Sequence, residues 1–322
     1  MTSPALPSDL RDSVEHVLRN VPQEMLAARV ADMSAAYRAG HGSNVTIRDS
    51  VDVAAYLAAR LPATYAAMIA ALDCVAERAP DFAPETLLDF GAGPGTASWA
   101  ATQIWPVLRA VTMLDRNTAL LACAKELAGG SSVMQQAHVQ QGSIAALDPS
   151  ANYDVVLAGY VFAELSKPEI ERTAMRLWDA CRGVLVIVEP GTPEGFERIR
   201  HARQVLLSNH AAVAAPCPGS YACPAVAPDW CHFSVRLPRS RAHMRAKGAD
   251  VPFEDEKFSY VAFARDTIVP RPIGARILAR PHVMKPGIRL KLCTAEGIED
   301  RTIARRAPAY KAATKKNWGD SL

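Results

Sequence analysis

The stretch Leu87-Leu88-Asp89-Phe90-Gly91-Ala92-Gly93-Pro94-Gly95-Thr96 decides how the chain is read. Two apolar residues lead to an acid, three glycines follow at alternate positions, and Thr96-Ala97-Ser98-Trp99-Ala100-Ala101 comes next. This run predicts a buried strand, a tight turn and the first turn of a helix. Glycine has no Cβ and tolerates positive φ, so the turn can bring its backbone close to a ligand. The helix N-terminus behind it presents unpaired N–H groups.

Dinucleotide enzymes use G-x-G-x-x-G, with the helix N-terminus on the pyrophosphate. Here the order is G-x-G-x-G preceded by Asp89, the arrangement of S-adenosylmethionine (SAM) methyltransferases. A carboxylate suits the cationic methionine end of SAM, directly or through water, better than it suits a pyrophosphate. Val111-Thr112-Met113-Leu114-Asp115 reads as a second strand ending in a carboxylate about 20 residues on, placed to grip ribose hydroxyls. Asp89, Gly91, Gly93, Gly95 and Asp115 are the expected cofactor-binding residues. An ordinary glycine turn in an α/β domain is the plainer alternative.

Working outward, strands and helices alternate from residue 86 to about 190, which implies a parallel sheet with helices on both faces. The expected strands are 86–90, 110–114, 137–141, 154–158 and 183–188, with helices at 95–105, 118–127, 167–181 and 194–209. Ligands in such sheets sit at the carboxyl ends of the strands. That adds Ser143 and Tyr160 as positional candidates. Upstream, residues 8–80 read as helical. Leu10, Val14, Val17 and Leu18 share one face; a second helix stops at Gly40-His41-Gly42, and a third starts near Asp49 and breaks at Pro62. Later strands are expected at 258–264, 275–279 and 288–292. The division is a helical extension (1–84), a Rossmann-like SAM domain (85–199) completed by later strands, and a cysteine-rich basic region (200–322).

The chain has 322 residues, 49% hydrophobic and 21% charged, enough apolar material for a real core. No apolar run reaches the roughly 18 residues of a membrane span. Residues 1–15 carry Asp9, Asp12 and Glu15 and lack a basic start and an apolar core, unlike a secretory or transit leader. The expected setting is therefore a bacterial cytoplasm, with the seven cysteines reduced. Net charge is +3, yet residues 1–199 hold 15 Lys and Arg against 23 Asp and Glu, and residues 200–322 hold 21 against 10. Such asymmetry points to a polyanionic partner for the C-terminal part.

Cys217, Cys223 and Cys231 form C-P-x4-C-P-x6-C, and Cys293 follows at the end of a strand. Four thiolates suit zinc or an iron–sulfur cluster. Zinc modules usually pair cysteines as C-x2-4-C. The wider loops here favour a bulkier cluster, with zinc and unligated thiols as alternatives. Cys74, Cys123 and Cys181 sit in apolar contexts and read as small core residues. Between and beyond the cluster cysteines run Arg236, Arg239, Arg241, Arg245, Lys247, Arg271, Arg276, Arg280 and Lys285, then Arg305, Arg306, Lys311, Lys315 and Lys316. Such residues neutralise phosphates, and nearby aromatics can stack on unpaired bases.

Taken together and in order, the glycine loop, Cys217-Pro218 to Cys223-Pro224, Asp229-Trp230-Cys231-His232-Phe233, Asp255-Glu256-Lys257-Phe258-Ser259-Tyr260 and Leu292-Cys293-Thr294 resemble the methyltransferase-like family of small-ribosomal-subunit assembly proteins. The resemblance covers about residues 85–320. It implies a Rossmann-like SAM domain, a 4Fe-4S site on Cys217, Cys223, Cys231 and Cys293, and a monomer that binds small-subunit rRNA during assembly. A metal-dependent switch that controls RNA binding without methyl transfer is the alternative.

Enzymatic competence has thinner support. Methyltransferases that act on exocyclic base amines carry an Asn/Asp/Ser-Pro-Pro-aromatic loop after the fourth strand, where this chain reads Ala158-Gly159-Tyr160-Val161-Phe162-Ala163-Glu164. No cysteine directly follows the fourth or fifth strand to serve as a nucleophile. Glu164 and Glu189 are the carboxylates able to orient an acceptor. No catalytic residue is assigned.

Overall fold

A computed structural model describes residues 2–39 and 42–322, except the side chains of Arg38 and Asn44. Helices α1 (Ser8–Leu18) and α2 (Gln23–Arg38) open the chain, followed by the short α3 (Ser43–Thr46). Of the expected stop at Gly40-His41-Gly42, only Gly42 lies within the described residues. Helix α4 (Ser50–Ala59) starts where Asp49 accepts the amides of Val51 and Asp52, an N-cap. Helix α5 (Leu61–Arg78) follows at once. The break falls at Arg60, and Pro62 lies inside the first turn of α5, where a missing N–H leaves no helical bond unmade. Helix α5 is buried almost all round, as a core helix should be. No single described helix is long and apolar enough to cross a membrane; only the pair α4 and α5, bent by 49°, has the length and composition.

The alternating region begins with β1 (Thr86–Phe90), α6 (Thr96–Ile104), β2 (Ala110–Asp115), α7 (Thr118–Leu127), α8 (Ser132–Gln135) and β3 (His138–Gln141). It continues with β4 (Tyr153–Gly159), α9 (Lys167–Asp179), β5 (Cys181–Pro190), α10 (Pro193–Ser208) and β6 (Ala212–Ala215). Next come β7 (Phe233–Pro238), α11 (Arg241–Lys247) and β8 (Phe253–Ala264). The strand order is β3-β2-β1-β4-β5-β8-β6, with β7 on the free half of β8. Strands β1 to β5 pair in parallel, and β8 runs antiparallel to β5, β6 and β7. This is a Rossmann-like sheet whose order reverses between β1 and β4, opening a crevice at their carboxyl ends. One core, with α5, α6 and α7, covers one face, and a second, with α9 and α10, covers the other.

Strands β9 (Arg276–Ile277), β10 (His282–Val283), β11 (Gly287–Cys293) and β12 (Ile298–Ala304) form a small antiparallel sheet in the order β10-β11-β12, with β9 on β11, and α12 (Tyr310–Ala313) packs on it. Strands β7 and β12 and helix α11 are absent from the sequence reading: β7 is short, and the charged residues of β12 and α11 leave no clear apolar period. The expected strand at 275–279 shortens to two residues.

Candidate functional site: a cavity and a thiol nest

The glycine turn adopts the predicted backbone. Gly91, Gly93 and Gly95 have φ of +68°, +54° and +81°. A Cβ on Gly91 would lie 2.6 Å from Val161 Cγ2, so both backbone and space exclude larger residues there. Gly95 is the N-cap of α6. The crevice above this loop is a cavity of about 1060 Å³, lined by Gly91, Gly93, Asp115, Ser143, Tyr160 and Glu164, among others. That is the top of the range of about 300–1,000 Å³ for ligand pockets.

Asp115 is fixed by the backbone around it. Its Oδ2 accepts the Gly93 N–H and its Oδ1 the Asn117 N–H, each at 2.7 Å. Burial raises its proton affinity, opposed by these bonds. Two such bonds leave lone pairs free on both oxygens for a ligand. Asn117 caps α7 through the Leu120 N–H, and its Nδ2 donates to the carbonyl of Ile47 at 2.9 Å. The N-terminal helices are thereby tied to the mouth of the crevice, and they add Tyr37, Tyr56 and Arg60 to its lining.

Asp89 is engaged with the helix that follows the turn. Its Oδ2 accepts both the N–H (2.9 Å) and the hydroxyl (2.7 Å) of Ser98 in the first turn of α6. It stands behind the loop with Gly95 and does not line the cavity. Burial pushes its carboxyl up to about 6 despite the Ser98 bonds. Asp89 braces the turn; Gly91, Gly93 and Asp115 face the ligand space.

The segment after β4 forms the opposite wall. Tyr160 has a positive φ (+62°), uncommon for a side chain of its size. Its hydroxyl donates to Glu256 Oε1 at 3.1 Å, and Arg60 lies 3.8 Å from the same carboxylate. Glu164 Oε1 accepts the Ser43 N–H at 2.7 Å. Glu189 is wholly buried beneath this wall, where it accepts the Phe162 N–H at 2.9 Å. Burial, opposed by Arg198 and the loop amides, pushes its carboxyl up to about 8. No motif marks Arg60, Tyr37 or Tyr56; their contribution depends on where the helical extension docks.

Cys217, Cys223, Cys231 and Cys293 gather in a second place. The Cys231 thiol is pushed well above its ordinary value by burial, and then by the fields of Cys217, Cys223 and Cys293. Burial and then Cys217 and Cys223 push Cys293 up to about 12. Among the described residues, no three His, Cys, Asp or Glu side chains close to the geometry of one bound metal ion. A single tetrahedral zinc would draw its thiolates to roughly 3.8 Å from one another, given bonds of about 2.3 Å. The four thiols lie within one another's fields without meeting that geometry. Cys74, Cys123 and Cys181 are buried, as expected, with Cys74 close to Arg276.

The basic residues divide. Arg236 and Arg280 pair with Asp255, Arg239 and Lys247 with Glu254, and Lys291 with Asp229. Arg276, expected at a basic surface, is buried. Arg241, Arg245, Arg271, Lys285, Arg306, Lys311 and Lys315 are exposed and form no ion pair among the described residues.

Residues 50–322 match the family model described as mitochondrial small ribosomal subunit Rsm22. The chain is 31% identical over 292 residues to the human mitochondrial ribosome assembly protein METTL17, covering 83% of this chain and 61% of that one. It is 22% identical to Rsm22-cox11 tandem protein 2, mitochondrial, of Schizosaccharomyces pombe, covering 96% of this chain and 48% of that one. The chain thus spans about half to three-fifths of the length of these relatives. Among solved structures, Synechocystis magnesium protoporphyrin IX methyltransferase with bound S-adenosylhomocysteine is 11% identical (TM-score 0.42; 63% of this chain, 84% of that one). The Bradyrhizobium japonicum N-methyltransferase NodS is also 11% identical (TM-score 0.40; 63% and 97%). These likenesses are loose, and strand order defines the sheet independently of them.

The expectation of a bacterial cytoplasmic setting is corrected here, because the relatives are mitochondrial proteins. Reduced cysteines report redox conditions, which several compartments share, and carry no address.

Proposed function

This chain belongs to the Rsm22 family of mitochondrial small ribosomal subunit proteins, and on that premise we propose that it is a SAM-binding assembly factor for the small ribosomal subunit. It acts as a monomer that binds small-subunit rRNA through its basic C-terminal part. The observation that carries the reading is Asp115, clamped by the Gly93 and Asn117 amides with oxygens still free to accept ribose hydroxyls. Gly91 and Gly93 let backbone approach the methionine end. SAM supplies a transferable methyl group when bound.

The cavity lining offers that methyl group few partners. Among the described residues it holds no cysteine or histidine. Its acids are largely engaged: Glu164 by Ser43, Glu256 by Tyr160 and Arg60, and Asp255 by Arg236 and Arg280. This supports a nucleotide-dependent assembly role over methyl transfer. Exposed, unpaired Arg241, Arg245, Arg271, Lys285, Arg306, Lys311 and Lys315 support the rRNA contact.

Cys217, Cys223, Cys231 and Cys293 would hold a 4Fe-4S cluster. Four thiols lying within one another's fields support this, and the wide C-P-x4-C-P-x6-C loops favour a cluster over zinc. Such a cluster ties the 217–231 loop to β11 and couples metal loading to folding of the C-terminal part.

The test uses the full chain, purified anaerobically. Equilibrium binding of labelled SAM and filter binding to small-subunit rRNA at several salt concentrations are measured together with methyl transfer. Saturable SAM binding and salt-sensitive rRNA binding without transfer support the proposal. Label in the rRNA would establish a methyltransferase, and absence of SAM binding would end the nucleotide reading.

A further inference from the structure

Three arginines surround the thiol nest, and none of them has an acidic partner. Arg78, Arg203 and Arg276 are 4%, 4% and 2% exposed. Arg78 donates to the carbonyls of Arg271 (2.6 Å) and Cys217 (3.2 Å). Arg203 donates through Nη2 to Tyr221 (2.6 Å) and Gly219 (3.4 Å). Arg276 donates through Nε to Pro216 (2.8 Å) and through Nη1 to Gly319 (2.7 Å). Arg203 Nε and Arg276 Nη2 are buried with no partner. Among the described residues none of the three forms an ion pair with a carboxylate; Glu77, whose field reaches Arg276, is exposed.

Guanidinium stays protonated in proteins, so burial cannot neutralise it. Backbone carbonyls satisfy N–H groups but leave the charge uncompensated, and a buried unpaired charge costs several kcal/mol. The remaining titratable groups nearby are thiols, Cys74 and Cys217 among them, and the phenol of Tyr260, which burial holds protonated. Cys217 lies in the fields of both Arg203 and Arg276, and so does Cys293. Loading a metal centre releases the thiol protons to solvent as sulfur–metal bonds form. A centre held by four thiolates keeps net negative charge, and that charge arises beside the orphaned N–H groups.

We infer that Arg203 and Arg276 are positioning residues for an anionic metal centre on the four cysteines, neutralising its charge and donating their free N–H groups to its sulfurs. The inference rests on the metal-centre reading above and extends it from the ligands to the shell behind them. Partners of this kind typically change metal affinity by about 10–100-fold. Arg78, already bound to the Cys217 carbonyl, orients the ligand loop instead.

The experiment loads the anaerobically purified full chain with equal parts of ferrous and ferric iron and with sulfide. It compares wild type with Arg203→Met, Arg203→Lys, Arg276→Met and Arg276→Lys. Two quantities are read: the gain in Tm on loading, and the rate of iron loss to a chelator. Both Met variants should show a smaller loading gain and iron loss about ten-fold faster, while each Lys variant recovers most of the gain. A merely structural arginine lowers the Tm of both forms equally and leaves the gain unchanged; that result would overturn the assignment. Wild type that takes up no iron would overturn the metal-centre reading itself. Should Arg276→Met not fold, Arg276→Lys and the Arg203 pair still decide.

Discussion

Trp230 donates its indole N–H to the carbonyl oxygen of Gly191 at 3.0 Å, joining the thiol loop to the cavity wall. Gly191 lines the cavity, and Cys231 is the next residue after Trp230. A Cβ on Gly191 would lie 2.7 Å from the backbone of Lys257 and Phe258, so the wall is packed tightly against β8. Ser259, on the same strand, donates to the Cys231 carbonyl at 2.8 Å. The two sites therefore share a rigid seam along β5 and β8. Trp230→Phe removes the bond and keeps most of the ring, at a cost of about 1 kcal/mol. SAM affinity measured by calorimetry should fall about three- to five-fold; unchanged affinity would show that the sites are mechanically independent.

Asp89 and Asp115 should respond differently to loss of charge. Asn at position 89 keeps an acceptor for Ser98, so Asp89→Asn should leave SAM affinity within about two-fold of wild type. Asp115→Asn gives up a charge-assisted contact, about 1.5–3 kcal/mol, and should weaken SAM at least ten-fold. Equal losses in the two variants would mean that Asp89 touches the ligand after all.

Gly91→Ala faces both strain and collision. A left-handed backbone costs about 1–2 kcal/mol with a Cβ, and Val161 must also move. The Tm should drop by several degrees and SAM binding should be lost, as read by thermal unfolding with and without SAM.

Glu189 makes a pH-dependent prediction. Burial lifts its carboxyl from 4.5 to about 8, so between those values the folded chain binds more protons than the unfolded one. The stability linked to Glu189 is then full below about pH 4.5 and is lost as pH rises toward 8, on the order of 5 kcal/mol in all. Glu189→Gln should remove this slope, and wild type should lose Tm relative to the variant from pH 5 to pH 9. Parallel Tm profiles would refute it.

Glu254 works in the opposite direction. Burial raises its carboxyl, but His243 and Lys247 outweigh that and hold it at about 2. These partners lie on α11, whose Ala246 packs among Leu26, Val30 and Met33 of α2. The linked stability is present above about pH 4.5 and fades as pH falls toward 2. Glu254→Gln should cost about 1 kcal/mol at neutral pH after solvent screening. It should also raise protease sensitivity around α2 and α11, as mapped by limited proteolysis.

Much of the sheet was legible in advance because parallel strands buried on both faces are written as continuous apolar runs, as in Leu87-Leu88 and Val184 to Val188. The carboxylates at strand ends were equally visible as residue types. Their roles were not, since Asp89 and Asp115 differ only in which neighbours the α6 turn and the Gly93 amide bring to them.

The Rossmann-like order of elements, the left-handed glycine turn and the four thiols with soft-ligand chemistry are legible in the residues alone. These follow from local rules: residue periodicity, glycine's missing Cβ and the donor chemistry of thiols. Tertiary packing sets Asp89 as a brace while Asp115 faces the cavity, and it brings Arg60 and Tyr37 into the lining from the helical extension. It also withdrew Arg276 from the basic surface and set it beside Cys217 and Cys293. Those outcomes depend on contacts between residues up to two hundred positions apart, and such contacts leave no periodic trace in the chain.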